Sequence, residues 1–160
     1  MEKNIKDACY FSATRLAEMD EKRHVHQYNG NAIRQTKTLG DVAGLTNMGL
    51  HMVRIEPGRE TTEHHFHGQD EEFVFILSGH GLARLGEDSF PIGPGDVLLF
   101  PKDGPAHSML NDSSEDLTYL MGGTRSPIDV CTYPHLARRQ YNVGGKREWA
   151  DLEAFTKVEP

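Results

Sequence analysis

A chain of 160 residues and 18.0 kDa is sized for one compact domain and falls short of two well-buried ones. Hydrophobic residues make up 37% and charged residues 26%, so composition supplies a core and excludes a disordered chain. The 17 Lys+Arg against 24 Asp+Glu leave a net charge of -7, the wrong sign for the basic surface that binds nucleic acid.

The opening stretch, MEKNIKDACYF, mixes both charge signs and lacks the apolar core of a secretion signal. No apolar run reaches the roughly 18 residues of a membrane span. Cys9 and Cys131 lie far apart and outside any CxxC spacing, which argues against a disulfide framework and a thiolate zinc site and suits a reducing cytoplasm. Residues 1–38 are polar and weakly patterned and read as an N-terminal arm. Within it, residues 14–22 (TRLAEMDEK) are expected to form a short helix with Thr14 as N-cap, and residues 24–31 a loop or extended arm.

From residue 39 to 125 the texture changes. Short β-branched, aliphatic and aromatic runs at 49–55, 72–77, 82–85, 97–100, 108–110 and 117–121 alternate with breaks such as Glu56-Pro57-Gly58 and Gly93-Pro94-Gly95-Asp96. Many short strands without an intervening helical period predict an all-β antiparallel sandwich or barrel. Pro91, Pro94, Pro101 and Pro105 exclude a helix there. Residues 126–160 return to polar sequence and read as a C-terminal extension packing on the barrel. In it, residues 149–155 (WADLEAF) carry an i, i+3, i+6 apolar spacing that a short terminal helix would use.

Nine histidines are the compositional excess, and three fall within His64-His65-Phe66-His67. Alternation along a strand puts His65 and His67 on one face and His64 and Phe66 on the other. Two neutral imidazoles side by side form a good chelate, and a nearby carboxylate completes a common three-ligand set. Asp70, Glu71 and Glu72 follow at the head of an apolar strand, where an acidic group needs a partner or a metal. Taken alone, an HxH pair is a weak signal. The order around it is stronger: Gly58, His65, His67, Glu72 and Gly79, then Gly95, Pro101, Gly104, His107 and Asn111.

This order resembles the two-motif signature of the cupin superfamily across residues 39–125, with small departures at the Gly58–His65 gap and in one extra residue between Pro101 and Gly104. The stretches Leu39-Gly40-Asp41-Val42-Ala43-Gly44-Leu45-Thr46, Glu71-Glu72-Phe73-Val74-Phe75-Ile76-Leu77 and Gly123-Thr124-Arg125 are similar to small bacterial single-domain cupins that often carry the provisional name of sugar phosphate isomerases. The resemblance implies a jelly-roll barrel (a double-stranded β-helix), a homodimer, and one divalent metal held by His65, His67, Glu72 and His107. The residues themselves support the three histidines and leave the carboxylate open. Alternation from His67 favours Glu71, the Gly68-Gln69-Asp70 turn resets the register, and the family spacing to Gly79 points to Glu72.

Such a centre keeps one or two positions for water or substrate, and zinc, iron, manganese and nickel all suit the donors. Aldose–ketose isomerisation or epimerisation, iron-dependent dioxygenation, and metal lyase or decarboxylase chemistry all follow from it, as does non-catalytic binding of a small molecule by a sensor. The isomerase label enters as analogy, because one fold hosts many functions. An isomerase needs a base besides the ligands, and the candidates are Glu71, His51 and Tyr119. Either His51 or Arg54 faces the cavity and offers a cation or donor to an anionic or sugar-like ligand. Met109 reads as core, Lys102 as a solvated loop residue near the cavity mouth, and His64 as a surface or interface histidine pointing away from the site. His24, His26, His80 and His135 lie outside both motifs and receive no chemistry.

Overall fold

The computed structural model describes residues 5–156 and 158. Residues 1–4 of the expected N-terminal arm and residues 157, 159 and 160 of the C-terminal extension lie outside the described residues. Two short helices, α1 (Ile5–Cys9) and α2 (Ala13–Glu18), precede a hairpin of β1 (Lys22–His26) and β2 (Asn29–Lys37). After α3 (Leu39–Ala43) come β3 (Met48–Ile55), β4 (Phe66–His67), β5 (Glu72–Ser78), β6 (Gly81–Leu85), β7 (Asp88–Ile92), β8 (Val97–Phe100), β9 (His107–Leu110) and β10 (Leu117–Thr124). A C-terminal meander follows: β11 (Ile128–Tyr133), β12 (Arg138–Val143) and β13 (Lys146–Asp151).

The strands form antiparallel sheets in the orders β1-β2-β3-β10-β5-β8, β13-β12-β11-β4 and β7-β6-β9, the all-β jelly roll of a cupin. Register makes the centre of one face of the six-stranded sheet, across β3, β10 and β5, apolar. Ile55 opposes Leu117, Val53 opposes Tyr119, and Tyr119 opposes Ile76, so these buried side chains share the inner face. Fully burying one such aliphatic side chain contributes about 1.5–3 kcal/mol. Two motif residues hold turns rather than the site. Asn111, fully buried, donates through Nδ2 to the carbonyls of Ile55 and Glu115 and accepts at Oδ1 from Ser113. Gly79 has φ +78°, and a Cβ there would meet the Asp116 carbonyl oxygen at 2.2 Å.

The flanks differ from expectation. The helix expected over residues 14–22 is the shorter α2, and its N-cap is Ser12, whose Oγ accepts from the Arg15 amide at 3.1 Å. Most of residues 24–31 belongs to the β1–β2 hairpin rather than a loop, and β2 extends the main sheet by pairing with β3. The expected helix over 149–155 is also corrected. Trp149 sits in β13, and only Leu152–Ala154 turn, as a 3-10 helix. Three C-terminal strands and β7 went unread, although the Gly144-Gly145 pair, both at positive φ, joins β12 to β13 as a hairpin turn.

Candidate metal centre and its cavity

Backbone pairing sets the histidines side by side. The His65 amide donates to the His107 carbonyl at 3.2 Å, and the His107 amide returns the bond at 2.7 Å. β4 pairs with β11, which places His67 opposite Cys131. Glu72 opens β5 opposite Gly123, in line with the inward Val74 and Ile76, whereas Glu71 is exposed. Gly123 makes room for that carboxylate, since a Cβ there would stand 2.9 Å from Glu72 Cγ.

The rings are aimed as well as gathered. His65 Nδ1 bonds the Glu63 carbonyl at 2.8 Å, His67 Nδ1 bonds Asp129 Oδ2 at 2.6 Å, and His107 Nδ1 lies 3.5 Å from the Pro105 carbonyl. With the proton on each Nδ1, the Nε2 atoms are free to act as donors to an ion, the arrangement common behind metal-binding histidines. Glu72 Oε2 lies 3.1 Å from His107 Nε2 and 3.5 Å from His67 Nε2. His65, Glu72 and His107 each present a ligand atom within 4.8 Å of the others. His107 stacks on Phe100 at 3.7 Å between centroids, and His65 stacks on Tyr133 at 5.3 Å, which locks both rings.

Charge follows from this packing. Burial, aided by the neighbouring histidines, holds His65 down at about 3, so its ring is neutral at neutral pH. Burial also opposes the Glu72 carboxylate, but His107, His67 and His65 outweigh it and hold Glu72 at about 2. For His67 burial is likewise overcome, by the Asp129 hydrogen bond and the Glu72 charge, and its pKa rises. Two other groupings lie within reach, His65–His67–Cys131 and His67–Asp70–Asp129. Burial raises the Cys131 thiol and keeps it protonated, a poor ligand state. Asp129 and Asp70 already accept from backbone amides, at Gln69 and Ser126 respectively. The group that could hold an ion with a carboxylate is therefore His65, Glu72 and His107, with His67 Nε2 beside it at 3.5 Å from Glu72 Oε2.

The group opens onto a cavity of about 1020 Å³ between the main sheet and the C-terminal sheet. His51 faces it, on the same side of β3 as Val53, while Arg54 points outward to Glu21 and Asp116. Tyr119 and Met109 line it and also belong to the apolar core. Lys102 is exposed and outside the lining, as is Glu71. His64 points away as expected, but it is buried rather than at the surface: its Nδ1 meets Ser108 Oγ at 3.2 Å and its ring stacks on His135.

Sequence reasoning missed two sets of residues. Asp129 orients His67, and its only signal was an acidic residue inside the β-rich stretch 128–133. His24 and His26, given no chemistry, line the cavity together with Arg34, Arg147 and Trp149. Those residues come from the flanking hairpins, where no motif marks them.

Comparison with known proteins places this geometry. Residues 51–123 match the Cupin domain family. A crystal structure from Acidithiobacillus ferrooxidans, of a protein whose name places it provisionally among sugar phosphate isomerases, is 37% identical with a TM-score of 0.94, covering 98% of this chain and 100% of that one. One from Silicibacter pomeroyi, named as a sugar phosphate isomerase of a cupin superfamily, is 25% identical with a TM-score of 0.76, covering 88% of this chain and 90% of that one. Protein SchB of Streptomyces halstedii is 34% identical over 61 residues, which is 38% of this chain and 44% of that protein, so the match spans less than half of this curated relative.

Proposed function

The chain belongs to the cupin superfamily, and on that premise we propose that it is a metal-dependent isomerase or epimerase acting on a small sugar or sugar-phosphate-like substrate. The observation that carries this reading is the grouping of His65, His107 and Glu72, with His67 beside Glu72, at a cavity of about 1020 Å³, at the upper end of the usual range for small-molecule sites. One divalent ion (zinc, iron, manganese or nickel) suits this donor set and would supply a Lewis acid to polarise a substrate carbonyl.

The chain itself then has to move a proton. His51 is placed for that: it faces the cavity, its Nδ1 is buried without a hydrogen-bond partner, and burial lowers its pKa. A neutral imidazole at neutral pH accepts a proton, so His51 is the base. Burial raises the Tyr119 phenol, which suits it to donate a hydrogen bond rather than to act as base. His51 is preferred to Glu71, which is exposed outside the lining.

The test has two stages. Elemental analysis of the purified chain should find one divalent ion, lost in His65→Ala and His107→Ala; unchanged stoichiometry overturns the ligand set. NMR on a panel of aldose and ketose phosphates should then show interconversion in the wild type and its loss in His51→Asn, with metal content retained. Iron with oxygen consumption would turn the reading to dioxygenation, and ligand binding without turnover to a sensor.

The same proposal includes a cytoplasmic homodimer built as an arm (1–38), a barrel (39–125) and a C-terminal extension (126–160). No helix among the described residues is long and apolar enough to cross a membrane. Phe75, Leu77, Val97 and Leu99 lie exposed on the outer face of β5 and the edge strand β8, with Leu99 at 69% exposure. An uncovered apolar edge favours pairing with a second copy. Sedimentation at micromolar concentration showing only monomer would refute the dimer.

A further inference from the structure

The cavity has a second polar centre, built outside the barrel motifs. Thr36 opposes the buried Val53 across β2 and β3, so Thr36 and Arg34 share the inner face, and His24 pairs with Arg34 across the hairpin. On the facing sheet Asp129 opposes Asn142, which opposes Arg147. His24, Arg34, Thr36, Asp129, Asn142 and Arg147 line the cavity.

Arg34 and Arg147 act on common neighbours, since the charges of both bear on His24 and on Tyr133. Neither arginine side chain has an ion pair or hydrogen bond among the described residues, although the chain carries 24 acidic residues. Arg54, Arg84, Arg125 and Arg138 all have a carboxylate. Both guanidiniums therefore face the cavity with no carboxylate in contact with either, an arrangement that leaves their N–H donors open to an anion. Unpartnered buried atoms stand on the same walls: Thr36 Oγ1, Asn142 Oδ1 and His51 Nδ1. A hydroxylated ligand would satisfy them.

We propose that Arg34 and Arg147 form an oxyanion subsite that holds the phosphate or carboxylate group of a small polyhydroxylated substrate, with Thr36, Asn142 and His51 taking its hydroxyl groups. Guanidinium forks match both oxyanions, and charge-assisted bonds to them are about twice as strong as neutral ones. The inference deepens the sugar-phosphate reading and rests on it for the rest of the substrate. Its test does not depend on metal or turnover.

Inorganic phosphate is titrated calorimetrically into the full chain at low ionic strength, both as purified and after chelator treatment. Binding is expected in both. Arg34→Gln and Arg147→Gln should each weaken it about tenfold or more, the double variant should abolish it, and Arg34→Lys should fall between. Arg84→Gln, whose arginine pairs with Glu60 outside the cavity, should bind as the wild type does. Thermal unfolding separates this role from a structural one. Removing an arginine whose side chain has no partner should leave the ligand-free melting temperature unchanged, while phosphate should stabilise only chains that keep the pair. Binding of phosphate more tightly than acetate assigns a phosphate ester, and the reverse assigns a carboxylate. The proposal is overturned by a wild type that binds neither anion, by glutamine variants that bind undiminished, or by variants that lose their melting temperature or oligomeric state instead.

Discussion

Two groups lining the cavity handle charge in opposite ways. Around His65, His67 and His107 every ring has a partner: a backbone carbonyl or Asp129 behind it, and Glu72 beside His67 and His107. Arg34 and Arg147 reach the same neighbours with no carboxylate among the described residues in contact with either side chain. The first group is preorganised, with its donors aimed before anything binds. The second leaves its N–H donors without a partner. Held in one cavity, the two groups match the proposed ligand, which carries hydroxyl or carbonyl oxygens and a negative group.

The comparison breaks most sharply at Glu72. Glu72→Gln removes the negative ligand, and because loss of an outer partner alone costs about 10–100-fold in metal affinity, this variant should lose about 100-fold or more while phosphate binding persists. Chelator competition measures the first and calorimetry the second. Asp129→Asn is the next largest effect: His67 loses the acceptor that sets its tautomer, and metal affinity should fall about 10–100-fold. Gly123→Ala acts through space alone, because the new Cβ would meet Glu71 O at 2.8 Å and Glu72 Cγ at 2.9 Å. Such overpacking should cost about 1–3 kcal/mol in thermal unfolding and weaken metal binding by displacing the carboxylate.

The smallest effect belongs to the arginine group. Burial and then Arg34 lower His26 from 6.5 to about 4. The unfolded chain therefore takes up this proton first as pH falls. Stability contributed by neutral His26 is present above pH 6.5, declines between 6.5 and about 4, and is level below that. Urea midpoints across this window should show the decline, and Arg34→Gln should make it shallower without removing it, since burial is the larger cause.

Legibility followed the hydrophobic pattern. The strands around 49–55, 72–77 and 97–100 were readable because their inner faces pack on the core, leaving apolar runs between turn residues. The hairpin β1–β2 and the meander β12–β13 were not, because their inner faces carry His24, Arg34, Asn142 and Arg147 toward a polar cavity and their outer faces meet water. A strand polar on both sides has no period to detect. His65, His67 and His107 were legible as a set because their spacing is local to two motifs. The choice between Glu71 and Glu72 was not, since it depends on the register of β5 against β10.

By itself the sequence determined an all-β sandwich or barrel, since strand periodicity and turn chemistry act over a few residues, and the order of its two motifs carried the resemblance to cupins and the three histidines. Only tertiary structure decided which carboxylate faces those histidines, which residue orients His67, and that arginines 113 positions apart (34 and 147) act on the same cavity groups. Those facts depend on how separate sheets pack across a shared space, and no local pattern in the chain encodes a distance between two walls.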